Sequence, residues 1–506
     1  MGSPVRRDAR RFAAADTTAS DALGGGDPLA AGGPFVTDLE RVQFSPYFSR
    51  LSAVTQVVSP STAGAPVHNR LTHTMKVASV ARSIAERIGD TDAGPCDPTV
   101  VEAAACAHDL GHPPFGHLGE AVLNRIARDE LGLADGFEGN AQTYRIIASL
   151  DVIESAPSGL DLTAATRAAI AKYPWSPRVD VRALHHADSV PRGIHRTGAD
   201  YDVFKYSAYF VDEADLDDAR EQVEARPLRQ TAEGAVMDIS DDIAYSVHDI
   251  DDFYRAGILD HASVTAEFHG WLDDVPSWAA ASSHDLAGSS APGAALERLR
   301  RKVDRDDPWI AEDDAFYDAV WAVNAELVDA LLIRPFDGSL ALERELAAFT
   351  GRWIRGFVDS VGVATGDSLR TGPLSLGPAA WHRVEILKFL HRQFVLSRPD
   401  LAIQQRGLST VISRTVRALI EWMDDEHDRH RVPRRLRELI DLAHEDYAAM
   451  DATRYRAVAA WRPVDELSRA RGVIDYVASL TDAQAADLSD ALSGRGDRIW
   501  SLGHRV

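Results

Sequence analysis

HDLGHPPFGHLGE, residues 108–120, places three histidines and two carboxylates within thirteen positions. Gly111 and the Pro113–Pro114 pair sit where a helix cannot run on unbroken, because proline lacks the amide proton and its ring clashes with the preceding turn. The segment before it, PTVVEAAACA (98–107), reads as a helix with Asp97 as N-cap and Pro98 at the first helical position. Its apolar stripe runs through Val101 and Ala105 to His108, so this histidine points inward with the core. An isolated imidazole on such a face is usually a hydrogen-bonded core histidine. Here Asp109 follows directly, and one rigid turn then offers an imidazole nitrogen and a carboxylate oxygen, two kinds of metal ligand. Any further ligands must come from other segments.

Two segments qualify by helical periodicity. In NRLTHTMKVASVARSIAERI (69–88), His73, Val77, Val80, Ile84 and Ile88 share one face, so His73 also faces the core. Arg70 lies one turn earlier and would set a guanidinium beside whatever His73 binds, although alone it reads as a surface ion pair. In MDISDDIAYSVHDIDD (237–252), Asp241, Tyr245 and Asp249 fall on one face beside an apolar stripe of Ile239, Ile243, Val247, Ile250 and Tyr254. Six aspartates in this run would ordinarily form a solvated acidic face. A bound cation reverses that expectation.

The chain has 506 residues, 45% of them hydrophobic, enough for one large or two ordinary cores. A formal net charge of -23 argues against a generally basic nucleic-acid surface and favours a cytoplasmic protein. The two cysteines, Cys96 and Cys106, give no disulfide framework and no cysteine zinc site. Neither a secretory leader nor an apolar run long enough for a membrane span is visible. Residues 1–35, with Arg6, Arg7, Arg10 and Arg11 among Ala, Gly and Ser, read as a disordered tail, and the ordered body is expected to begin near Phe44. A core over 36–260, a linker or insertion over 261–300 and a helical region over 301–506 complete the expected organisation. The Ser, Gly and Pro content of 273–294 marks a loop, whereas Leu408, Ile412, Val416, Leu419 and Met423 restore helical periodicity. No alternating strand pattern of useful length occurs, so the fold class is all-α.

His73, His108 with Asp109, and Asp241 form an H…HD…D series that resembles the HD-domain phosphohydrolases, in which those four residues bind a divalent metal. The flanking segments QFSPYFSRLSAVTQV, NRLTHTMKVA, HDLGHPPFGHLGE, GFEGNAQTYR, KYPW, DISDDIAYSVHD and DYVASLTD resemble, in order and spacing, the deoxyguanosine triphosphate triphosphohydrolase family over about residues 40–485. The fold this implies is an HD-type helical core with additional C-terminal helices. The resemblance places metal binding on His73, His108, Asp109 and Asp241. A two-His, two-Asp set suits Mn²⁺ or Mg²⁺ foremost, and Fe²⁺ or Ni²⁺ also. It matches His117 and Glu120 to a catalytic pair, and His112 to a histidine near the phosphates. Arg70, Asn140, Lys172, Tyr173 and Lys205 match positions that hold the triphosphate. Gln56 and Asp249 match groups that bond the 3′-hydroxyl, with Val57 and Tyr245 against the deoxyribose. One departure is Val54, where the family usually carries a lysine.

The activity implied is hydrolysis of dGTP, or other dNTPs, at the α-phosphorus to deoxynucleoside and tripolyphosphate. His117, oriented by Glu120, would protonate the departing 5′-oxygen, while Arg70, Lys172 and Lys205 create a locally positive pocket within an acidic protein. The family also implies a homo-oligomer, tetramer or hexamer, and activation by a second nucleotide; single-stranded DNA binding is not indicated by the charge. Two alternatives share these residues: an HD-type phosphodiesterase acting on other nucleotides, and a nucleotide-responsive regulator without turnover.

Overall fold

The computed structural model describes residues 6–12, 32–56, 69–154, 156–181, 184, 189–197, 200–364, 369–370, 372–458 and 462–495. Helices dominate. Four of them, α1 (Pro34–Gln43), α2 (Arg70–Ile88), α6 (Ala164–Ile170) and α7 (Ala232–Arg255), meet around one short apolar helix, α3 (Pro98–Ala107). Two more, α4 (His117–Arg125) and α5 (Gly139–Arg145), follow α3 in the chain. Helix α3 carries alanine at 103, 104, 105 and 107, and these small side chains let α1, α2, α6 and α7 all approach closely; Val100, Val101 and Ala103–Ala107 are fully buried. On α2, Val77, Ala81 and Ile84 turn to the same core, each buried Val or Ile contributing about 1.5–3 kcal/mol. Starts are set by side-chain caps: Asn69 accepts from Thr72 N, Asp97 from Thr99 N and Val100 N, and Thr231 from Gly234 N.

The second half adds α8 (Asp313–Val323), α9 (Leu340–Ser360), α10 (Pro378–His391), α11 (Pro399–Asp424), α12 (Arg434–Ala449), α13 (Val464–Ala478) and α14 (Asp482–Leu492). Helix α10 packs on α7, and α11 on α4 and α14. Helices α12 and α13 approach so closely at Gly472 that an added Cβ would lie 2.8 Å from Ile440 Cα. Buried ion pairs join the halves: Arg145 Nε reaches Asp475 Oδ2 at 2.7 Å, and Arg471 Nη2 reaches Asp135 Oδ1 at 2.6 Å. No helix among the described residues is long and apolar enough to cross a membrane.

Several expectations change. Two small antiparallel hairpins interrupt the helices, β1 (Ile194–Thr197) with β2 (Asp200–Val203) and β3 (Val361–Val363) with β4 (Leu374–Leu376). Their strands of three or four residues are too short to show alternation. Residues 6–12, within the expected tail, lie on the body: Arg7 pairs with the buried Glu233, Arg10 with Asp38 at 2.9 Å, and Ala9 O accepts from Ala164 N. Helix α1 already starts at Pro34, ahead of the expected Phe44, because the proline suits its first position. The segment expected as a loop forms short helices over Val275–Ala280 and Ser283–Ala287, each started by a capping side chain, Asp274 or Ser282. Serine there acts as a cap, which composition alone does not distinguish from a linker.

Candidate metal centre and acid-base site

The break after α3 is built by close packing. An added Cβ on Gly111 would sit 2.1 Å from Thr143 N and 2.3 Å from Gly139 O, so only glycine lets the turn rest on α5. Thr143 Oγ1 accepts from Gly111 N and donates to His108 O, fixing the turn from both ends. Arg50 Nη2 donates to Leu110 O and His112 O from the other side.

This turn carries His108 and Asp109 to His73 of α2 and Asp241 of α7. His73 Nε2 lies 3.1 Å from Asp241 Oδ1, and His108 Nε2 lies 3.7 Å from the same oxygen and 3.5 Å from Asp109 Oδ1. His108 Nδ1 donates to Ala105 O at 2.7 Å, which assigns the proton to Nδ1 and leaves a lone pair on Nε2. That Nε2 is buried with no hydrogen-bond partner, aimed between two carboxylates too distant to bond it. A divalent cation would satisfy it. Around it, Arg70 lies against Asp109, and Lys172 against Asp238 and Asp241. Burial would raise Asp241, but Lys172 and His73 hold its carboxyl well below the usual range. Burial acts the same way on Asp109, and Arg70 with the flanking histidines overrides it.

Beside this centre lies a second group, His112, His117 and Glu120. The chain reaches α4 through Phe115 (φ 64°) and Gly116 (φ 60°), a tight left-handed turn. His117, the first residue of α4, has a side chain 67% exposed, with Nδ1 3.1 Å from Glu120 Oε2. Glu120 is buried and also bonded by Lys205 Nζ at 2.5 Å. Burial alone would raise Glu120; His117 and Lys205 pull it well below the carboxylate range, so it is ionised. His112 is lowered to about 4 by burial and the Arg70 guanidinium, and its neutral ring places Nδ1 2.9 Å from Asp109 Oδ1. It links the two groups.

Arg70 is buried rather than a surface ion pair, bonded to Asp109 at 2.8 Å, with Nε and Nη2 left without partners. Lys172 bonds Asp238 at 2.8 Å and Asp241 at 2.9 Å, and Lys205 bonds Glu120 and Glu138. The locally positive pocket expected from these cations is corrected: each is neutralised by carboxylates. Asn140 Nδ2 donates to Glu138 Oε1, and Tyr173 sits beside Lys205 against Trp175. Gln56 is placed next to Gly116, its Oε1 buried without a partner, whereas Val57 lies outside the described residues. Further along α7, Tyr245 Oη and Asp249 Oδ2 both meet His391 Nδ1, at 2.5 and 2.9 Å.

Sequence reasoning missed Glu138, His391 and Asp482. Glu138 caps α5, accepting from Asn140 N and Ala141 N, so its position before Gly139 carried a signal. His391 ends α10, and nothing in its spacing relates it to α7. Asp482 accepts from Thr55 N and Phe115 N.

Residues 70–150 match the HD domain family and residues 414–491 the phosphohydrolase-associated domain family. A deoxyguanosinetriphosphate triphosphohydrolase-like protein of Streptomyces coelicolor is 31% identical over 477 residues, 91% of this chain and 92% of its own length. One from Corynebacterium efficiens is 31% identical over 472 residues, 91% of each chain. One from Corynebacterium glutamicum is 40% identical over 231 residues, 45% of this chain and 47% of its own.

Proposed function

Because the chain belongs to the HD-domain family of deoxyguanosinetriphosphate triphosphohydrolase-like proteins, which are metal-dependent phosphohydrolases, we propose that it hydrolyses dGTP, or other dNTPs, to deoxynucleoside and tripolyphosphate. The observation that carries this reading is the adjacency of two centres. One offers an orphaned imidazole nitrogen between two carboxylates; the other offers an exposed imidazole backed by an ionised carboxylate.

His73, His108, Asp109 and Asp241 would hold a divalent cation, Mn²⁺ or Mg²⁺, which supplies charge neutralisation at the phosphate and a more acidic water. The chain's own groups do the rest. Glu120 accepts from His117 Nδ1 and turns Nε2 outward, where it can protonate the 5′-oxygen as the bond to phosphorus breaks. An alkoxide leaves poorly, so this proton is worth about 10²–10⁴ in rate. The two unpartnered donors of Arg70 are free for phosphate oxygens. Lys172 and Lys205 hold Asp241 and Glu120 in place and exchange toward the triphosphate as its charge arrives. Gln56 and Asp249 recognise the 3′-hydroxyl, with Tyr245 against the sugar, and His391 fixes the Tyr245–Asp249 pair. In this reading the working form is a symmetric tetramer or hexamer, open to a nucleotide activator.

The test is turnover of the four dNTPs and four rNTPs, singly and in pairs, with Mn²⁺ or Mg²⁺ and separate detection of nucleoside and tripolyphosphate. Deoxyguanosine and tripolyphosphate in equal amounts are expected. Release of monophosphate, or turnover of none of the dNTPs, overturns the reading.

A further inference from the structure

The C-terminal helix α14 begins at Asp482, half-buried, with Thr481 and Gln484 closing a reciprocal cap around its first turn. The Asp482 carboxylate does not serve its own helix alone. Oδ2 accepts from Thr55 N at 2.9 Å and from Thr55 Oγ1 at 2.5 Å, and Oδ1 accepts from Phe115 N at 2.8 Å. One side chain thus ties two loops that meet at Gly116, where an added Cβ would touch Arg70 Nη2 at 2.9 Å and Thr55 O at 3.2 Å. Thr55 precedes Gln56, and Phe115 stands two residues before His117. Phe115 is a non-glycine residue held at φ 64°, a conformation that persists only where its surroundings enforce it.

We propose that Asp482 is a positioning residue: by fixing Thr55 and Phe115 on one carboxylate it sets where His117 and Gln56 stand, so the phosphohydrolase-associated region completes the active site. The inference rests on the reading of His117 as the group that moves the proton. A carboxylate is required because both oxygens accept. In Asp482→Asn the amide nitrogen cannot accept from a backbone N–H, so one loop is released while size and helix start are kept.

The experiment compares wild type, Asp482→Asn, His117→Ala and the double variant in Mn²⁺-dependent dGTP hydrolysis, with bound metal and amide hydrogen exchange measured on each. Asp487→Asn, exposed on the same helix, serves as control and keeps full activity. Asp482→Asn is expected to lower kcat about 10- to 100-fold at unchanged metal content and nearly unchanged KM. It adds no further loss to His117→Ala, because once the proton donor is gone its position no longer affects kcat. Exchange at Thr55 or Phe115 accelerates. Unchanged kcat, a loss that is additive with His117→Ala, or loss of metal overturns the positioning role. Unchanged exchange at both amides overturns the tie itself. A wild type that turns over no dNTP refutes the functional reading instead, and the exchange result still decides whether Asp482 holds the loops.

Discussion

His117 differs from the other histidines of its segment in what it faces. His108 and His112 are buried, His108 bonded through Nδ1 to Ala105 O and His112 with Nδ1 2.9 Å from Asp109, whereas His117 stands open with only Nδ1 engaged. His117→Ala is therefore expected to lower kcat by about 10²–10⁴ while leaving bound metal intact, measured by metal analysis beside product release. Gly111 gives the opposite expectation. Gly111→Ala forces a Cβ into Thr143 N and Gly139 O, so the turn must move, at a cost of about 1–3 kcal/mol. His108 and Asp109 move with it, and a lower thermal midpoint is expected together with lost metal. At this scale the sequence was readable where periodicity governs. His73 and His108 face inward as their helical spacing requires, and the candidate metal ligands come from α2, α7 and the turn after α3. Glu138 was legible only as the cap of α5, not as a partner of Lys205, and His391 and Asp482 were not readable, because each acts on a residue brought near only by folding. The lysines show the same limit: their chemistry was plain, but their pairing with Asp238, Asp241, Glu120 and Glu138 depends on tertiary distance.

Helices α2, α3 and α7 share more than a core, since each brings a group to the same point. That point holds an imidazole nitrogen, His108 Nε2, with no hydrogen-bond partner. A cation that binds the folded chain stabilises it by mass action, about 2.7 kcal/mol at one hundred times its Kd. Chelation is thus expected to lower the thermal midpoint by several degrees, and Mn²⁺ to restore it. His108→Ala should melt at one temperature with or without Mn²⁺, and a variant that still responds would place the cation elsewhere. Helix α7 also shows why an acidic run misleads. Its aspartates read as a solvated face, yet Asp238, Asp249 and Asp252 are buried, and Asp242 meets Lys388 of α10 at 2.7 Å. The Ser-rich run after α7 erred in the other direction, since Ser282 caps a helix there.

Across the whole molecule, the two halves are joined by buried charge rather than by apolar surface alone. Arg145 is shared by three carboxylates, with Asp475 at 2.7 Å, Asp446 at 3.0 Å and Asp212 at 3.4 Å. One guanidinium cannot balance three anions. Burial, only partly offset by Arg145 and reinforced by Asp446, pushes Asp212 up to about 7. Its folded value lies above its unfolded value of 3.8, so folding takes up a proton. The stability tied to that proton is complete below about pH 4 and is lost as pH rises through about 7. Asp212→Asn removes this dependence, and its melting temperature should overtake that of wild type between pH 6 and 8, by an amount worth about 1–3 kcal/mol. Identical pH profiles for the two proteins would show Asp212 to be ionised throughout.

Arg50 donates to Ala478 O and Leu480 O, 428 and 430 positions later in the chain, as well as to the turn that carries His108. During translation at roughly 5–20 residues per second, about 20–90 s separate the synthesis of that arginine from the synthesis of its last partners. For that interval the nascent chain holds its histidines without the brace that seats them. A chain halted before residue 478 therefore carries His73, His108, Asp109 and Asp241 without the brace that seats the turn between them.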